Sequence, residues 1–185
     1  MRWGFKTWAE KKAVEFRKDL SLKYYEKLPA ELLANHLGVG LITPKDIPAL
    51  TIKEKNLLLN HDSSSWSAIT IKNNSGEYVI IFNSSHSKKR SESNLMHELG
   101  HIICKHDMEK IKLREDFPFP LRDYNSIQED EANWLGGCLQ IPRKALLWGC
   151  YKGMNKIELS DHFGASMVMI SYRLKITGVE RQINC

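Results

Sequence analysis

One stretch decides most of what this chain can become. In Asn94-Leu95-Met96-His97-Glu98-Leu99-Gly100-His101-Ile102-Ile103-Cys104 the pattern His-Glu-x-x-His sits inside an apolar run. On a helix, residues four apart project about 40° from each other and lie about 6 Å apart along the axis, so His97 and His101 can share one metal ion. With Leu95 at 0° and about 100° per residue, Ile102, Leu99, Ile103 and Met96 fall between about −20° and +100°, while His97 and His101 fall near 200° and 240°. Such a helix buries one side and turns its His pair toward a cleft. Glu98 lies on the flank, where a carboxylate reaches water in that cleft. Gly100, near the His face, lets another backbone or a substrate approach.

The rest of the chain has to supply a core for this helix. Its 185 residues suffice for one domain and are short for two independent ones, and the 42% hydrophobic and 26% charged content is ordinary for a globular chain. One domain is expected: residues 1–60 as a helical scaffold, 61–142 as sheet and metal-binding helices, and 143–185 as a C-terminal helical segment. The net charge of +5 is scattered, and its densest cluster, Lys88-Lys89-Arg90, reads as a solvated turn rather than a nucleic-acid patch. No run approaches the roughly 20 apolar residues of a membrane span. Met1-Arg2-Trp3-Gly4-Phe5-Lys6 lacks the apolar region of a signal peptide, so a cytoplasmic protein is expected. Cys104, Cys138, Cys150 and Cys185 show no Cys-x-x-Cys spacing, and reduced, mostly core-packed thiols follow. Cys104 is a shoulder residue, not a ligand.

Thr7-Trp8-Ala9-Glu10 has capping-box spacing and predicts a helix to about Leu20; Pro29 opens a second, over 30–37, stopped by Gly38. Val39 to Thr43 reads as a short strand ended by Pro44, and Thr51 to Glu54 as the box of a helix to about Leu59. Trp66–Ile71 and Glu77–Asn83, around Asn73-Asn74-Ser75-Gly76, predict an antiparallel hairpin whose second strand is covered on both faces. If one edge of that hairpin faces the cleft, an extended peptide can add to it. The central helix is expected from about Ser91. Residues 107–125, with Phe117-Pro118-Phe119-Pro120, read as a wall or lid without regular structure.

Ser126-Ile127-Gln128-Glu129 has capping-box spacing again and predicts a helix to Gln140. With Ile127 at 0°, Trp134, Cys138, Leu135, Leu139 and Ala132 span about −20° to +140°, and Glu131 lies inside this stripe at about 40°. A lone carboxylate there is costly. The expectation is that Glu131 is the third metal ligand; its alternative is a carboxylate paired with a buried Arg or Lys. Glu129, near 200°, is assigned to the cap, and Asn133, near 240°, to polar surface. After a short helix over 143–150, residues 158–174 resemble a DNA-binding helix-turn-helix with Gly164 at its turn. The front of the second helix presents Met167, Val168 and Met169, which make no bidentate base contacts, so packing is the preferred reading.

Taken together, His97-Glu98-Leu99-Gly100-His101, Glu129-Asp130-Glu131-Ala132-Asn133-Trp134, Leu139-Gln140-Ile141-Pro142 and Phe163-Gly164-Ala165-Ser166 with Arg173-Leu174 resemble the ImmA/IrrE family of zinc metallopeptidases. Gly4 to Glu10 also looks like the start of some members. Trp134-Leu135-Gly136-Gly137 departs from the family pattern, which implies an irregular helix end. The resemblance implies an α+β fold, a small mixed or antiparallel sheet on a gluzincin-like helical core with a helix-turn-helix-like pair at the C-terminal end. It also implies a protein substrate, typically a helix-turn-helix repressor of a mobile element or stress response. On the residues themselves, His97, His101 and Glu131 would hold zinc with one position open to water, and Glu98 would be the base. The oxyanion donor stays open among Tyr172, His162 and Arg173. Neither a specific nucleic acid nor a membrane is expected as partner. The rival classes are a DNA-binding regulator and a non-catalytic zinc-stabilised interaction domain.

Overall fold

The computed structural model describes residues 1–61, 65–73, 75–106, 111–112, 121–122 and 125–183. Helix α1, Phe5–Asp19, starts from Gly4, whose φ of 75° suits a residue without a Cβ. It begins before the expected box at Thr7, because Glu10 is drawn elsewhere: it accepts from the Arg143 backbone N–H at 2.7 Å and pairs with Arg173. Helix α2, Ala30–His36, and strand β1, Gly40–Ile42, follow as expected. A tight turn, Pro44–Asp46, leads to α3, Ile52–Asn56, which is capped by the Thr51–Glu54 box and relaxes into a π turn over Leu57–His61.

Strands β2, Ala68–Lys72, and β3, Tyr78–Phe82, form the expected antiparallel hairpin, with Thr70 opposite Ile80. Strand β1 joins β3 in parallel, giving a mixed sheet of order β1-β3-β2. Ile80 and Ile81 point to opposite faces and are 0% and 2% exposed, so the central strand is covered on both sides, as its continuous apolar run requires.

Helix α4, Lys88–Ile103, begins before the expected Ser91. Ser87 caps it by accepting from the Arg90 N–H, and Lys88-Lys89-Arg90 become its first turn. Cations there oppose the helix dipole, and Lys89 is compensated by Asp161 and the Ser160 hydroxyl, each at 2.7 Å. The connection expected to lack regular structure contains a short antiparallel ladder, β4, Ile111–Lys112, with β5, Leu121–Arg122; the Phe117–Pro120 stretch lies outside the described residues.

Helix α5, Ser126–Gln140, is regular through Gly136 and Gly137, which corrects the expected irregular end. The two helices lie backbone to backbone, and the glycines are the reason. A Cβ on Gly100 would stand 3.0 Å from the Ala132 carbonyl oxygen, and one on Gly136 would stand 3.0 Å from the Met96 oxygen and 3.1 Å from the His97 nitrogen. Around this contact, Leu99, Met96, Leu135 and Leu139 join Phe5, Ala9, Leu33 and Ile80 in the main core.

Helices α6, Arg143–Tyr151, α7, Lys156–Phe163, α8, Met167–Thr177, and α9, Val179–Gln182, build a second apolar cluster. Gly164, at φ 63°, makes the turn of the helix-turn-helix-like pair, with Leu159, Phe163, Ile170 and Leu174 inward and Met167 and Val168 exposed. The fold is α+β. Cys104 and Cys138 are free, whereas Cys150 is disulfide-bonded, against the expectation of reduced thiols throughout. Among the described residues no helix is long and apolar enough to cross a membrane.

Candidate metal centre

The glycine-mediated contact of α4 and α5 brings His97 and His101 against α5. Their Nε2 atoms stand 3.1 Å apart. Facing them is Glu129, with one oxygen 3.2 Å from His97 Nε2 and the other 3.4 Å from His101 Nε2. A tetrahedral ion about 2.0–2.1 Å from each ligand separates its ligand atoms by about 3.3 Å, and His97, His101 and Glu129 each offer a ligand atom within 4.8 Å of the others, so the three can converge on one ion. Two imidazole nitrogens beside a carboxylate are a donor set for a divalent cation.

The third side chain at the pair is therefore Glu129 and not the expected Glu131. Asn125 caps α5 by accepting from the Ile127 and Gln128 N–H groups, which leaves Glu129 free of the capping duty assigned to it. Glu131 is a buried carboxylate paired with an arginine, as in the alternative reading, except that the arginine is exposed and not buried. Glu131 is 3% exposed and takes Arg2 as partner, the backbone N–H and Nε donating to Oε1 at 2.8 and 3.0 Å and Nη2 meeting Oε2 at 2.9 Å. Burial pushes the Glu131 pKa up, but the Arg2 hydrogen bonds outweigh it and hold the carboxyl below the usual range.

Each histidine has a partner on its other nitrogen. His97 Nδ1 lies 3.0 Å from Asn133 Oδ1, on the next turn of α5 from Glu129. His101 Nδ1 lies 2.8 Å from Nδ1 of His106, whose Nε2 is 3.3 Å from Glu131. Burial works against a charged His97, yet Glu129, Glu98 and Asn133 together lift its pKa above the ordinary value. Cys104, His106 and Glu131 form a second cluster of ligand-type atoms. Burial pushes the Cys104 thiol up to about 11, which keeps it protonated at neutral pH.

Glu98 is 7% exposed and accepts a hydrogen bond from the Thr70 hydroxyl of β2 at 2.5 Å, which ties the sheet to the His helix. The three oxyanion candidates fare differently. Arg173 is fully buried, donating from Nε to the Ile141 carbonyl and pairing with Glu10. His162 sits 2.8 Å from the Tyr25 carbonyl. Both are thus engaged in packing. Tyr172 stays partly exposed on α8, its pKa raised by burial against the lowering effect of Arg173, with Asp130 of α5 adding to the rise.

Sequence reasoning missed Glu129, Asn133, Thr70, His106 and Arg2. Glu129 and Asn133 were recoverable: they project opposite the apolar stripe of α5, just as His97 and His101 oppose that of α4. His106 carried a weaker signal, a histidine just past the helix end and five residues after His101.

A comparison with curated proteins finds no match. The model of the family Peptidase_M78, described as IrrE N-terminal-like domain, matches residues 51–175. That segment carries the sheet hairpin, both helices of the candidate centre and most of the C-terminal pair, and it holds every motif block of the resemblance except Gly4 to Glu10 at the start of α1. Spanning more than half of the chain, the match bears out the resemblance: this protein belongs to the IrrE-like Peptidase_M78 family of metallopeptidases.

Proposed function

We propose that the protein is a zinc-dependent endopeptidase whose ion is held by His97, His101 and Glu129, and whose general base is Glu98. The observation that carries this reading is the convergence of two imidazole Nε2 atoms of α4 and the Glu129 carboxylate of α5, with a buried glutamate, Glu98, on the same helix as the two histidines. Zinc in such a site supplies Lewis acidity toward water and toward the scissile carbonyl. Glu98 accepts a proton from the attacking water as its oxygen bonds to the carbonyl carbon, and delivers that proton to the departing amine as the C–N bond breaks. Thr70 fixes the orientation of the Glu98 carboxylate, and Asn133 that of the His97 ring.

Among the described residues β2 pairs with β3 alone, and its outer edge lies on the side of the sheet order away from β1. A substrate strand pairing with that edge can run past in both directions, which suits cleavage within a chain. The substrate class proposed is a protein, a helix-turn-helix repressor of a mobile element or stress response. The exposed Met167 and Val168 of α8 offer no donors or acceptors for base reading, so this helix pair is proposed as packing and not as a nucleic-acid reader.

The test uses zinc-loaded protein and helix-turn-helix repressors from neighbouring reading frames, with products followed by mass spectrometry. Glu98→Gln keeps size and ligands, so zinc content should hold while cleavage falls by about 10² or more. Equal cleavage by the two proteins refutes the role of Glu98, and cleavage by neither at full zinc content favours a zinc-stabilised interaction domain.

A further inference from the structure

We propose that Arg2, Glu131 and His106 form a hydrogen-bonded chain that selects which ring nitrogen of His101 faces the metal. This rests on the zinc reading above, and it makes Arg2, which lies outside the family-matched segment, a positioning residue for a ligand it does not touch.

The end of α4 places the middle of the chain. Lys105 adopts a left-handed φ of 54°, its N–H bonds to the Ile102 carbonyl, and the His106 N–H bonds back to the His101 carbonyl, each at 3.0 Å. These are the two bonds of a Schellman motif, which folds the second residue past the cap onto the third-last residue of the helix. Here those residues are His106 and His101. The ring of His106 is consequently held 2.8 Å from that of His101, Nδ1 to Nδ1, with both side chains buried.

Direction then follows from which groups can donate. Glu131 receives two N–H donors and a guanidinium from Arg2, and an ionised carboxylate only accepts. His106 Nε2, at 3.3 Å, therefore carries the hydrogen and donates to Glu131. A neutral imidazole with its hydrogen on Nε2 accepts at Nδ1, so His101 Nδ1–H donates to His106. That leaves the lone pair of His101 on Nε2, aimed at His97 and Glu129. A carboxylate bonded to the far nitrogen of a metal ligand is a familiar arrangement; here one more histidine is interposed. The same three residues could instead be read with Cys104 as a second metal site. Arg2 argues against it, because its guanidinium already occupies the Glu131 carboxylate.

The test is an imidazole tautomer measurement on metal-free, ¹⁵N-histidine-labelled protein by long-range ¹H–¹⁵N NMR, followed by zinc affinity from chelator competition. Wild type should show His101 protonated on Nδ1 and one zinc per chain. His106→Phe should move the hydrogen to Nε2 and weaken zinc binding by about 10- to 100-fold. His106→Gln, whose amide both accepts and donates, should restore both readouts, and Arg2→Ala should weaken zinc binding by a smaller factor. Protonation of His101 on Nε2 in wild type overturns the proposal, as does a His106→Phe protein in which either readout is unmoved, or a second zinc per chain. If His106→Phe does not fold, the wild-type tautomer and Arg2→Ala, at an exposed residue, still decide. Absence of zinc from wild type would refute the metal reading separately, since the tautomer is read without metal.

Discussion

The contact between α4 and α5 gives the account a mechanical test in Gly136→Ala. In a helix interior this change is favourable by about 0.5–1 kcal/mol through backbone entropy. Against that, the new Cβ would meet Met96 O at 3.0 Å and His97 N at 3.1 Å, both backbone atoms that cannot rotate aside. Overpacking of this kind costs about 1–3 kcal/mol, so the net effect is a destabilisation of about 1 kcal/mol, or roughly 2–4 °C in Tm for a chain of this size. Relief comes from moving α4 off α5 by a few tenths of an ångström. That displacement also moves the His pair from Glu129, which now stands 3.2 and 3.4 Å away, and zinc affinity should fall about tenfold. Gly137→Ala is the control, since its Cβ would meet side-chain and not backbone atoms, of Arg173 at 3.1 Å and Met169 at 3.7 Å, and none of α4. Circular dichroism melts of the metal-free proteins and zinc competition give the two numbers. A Gly136→Ala protein that melts above wild type and binds zinc equally well would refute the reasoning.

Two further outcomes follow from the same geometry. Because Arg2 holds the Glu131 carboxyl below its ordinary pKa, the stability this pair contributes is fully present above the unfolded value of about 4.3 and is lost as pH falls through the lower folded value. Thermal melts of Glu131→Gln between about pH 2 and 6 should therefore show a weaker acid dependence than wild type, and parallel curves would contradict it. Thr70→Val removes the hydroxyl that donates to Glu98 without touching the metal ligands, so kcat should drop several-fold at unchanged zinc content. Loss of zinc in that variant would mean Thr70 supports the centre in some other way.

How much of this was legible in the sequence depends on whether a residue's role is local. The His helix, the hairpin and the C-terminal pair were readable because periodicity and turn residues act over a few positions: Leu99 and Leu135 lie in the core as their stripes require, and Gly164 makes its turn. Glu131 shows where local reasoning stops. A carboxylate inside an apolar stripe needs a partner, but the stripe does not say which, and the partner, Arg2, is 129 residues away in the chain. The cap went astray for a smaller reason. Ser126 and Asn125 are both competent caps, and the choice of Asn125 moved Glu129 from helix end to cleft. Gly136 looked like a helix breaker in sequence, whereas its role is to admit the backbone of α4.

The central claim, that one zinc ion sits between α4 and α5, is tested most directly by diffraction from zinc-loaded crystals at the zinc absorption edge. The expected result is a single anomalous peak about 2.0–2.2 Å from His97 Nε2, His101 Nε2 and a Glu129 oxygen. A peak coordinated by Glu131, His106 or Cys104, or no peak between the two His side chains, would contradict it.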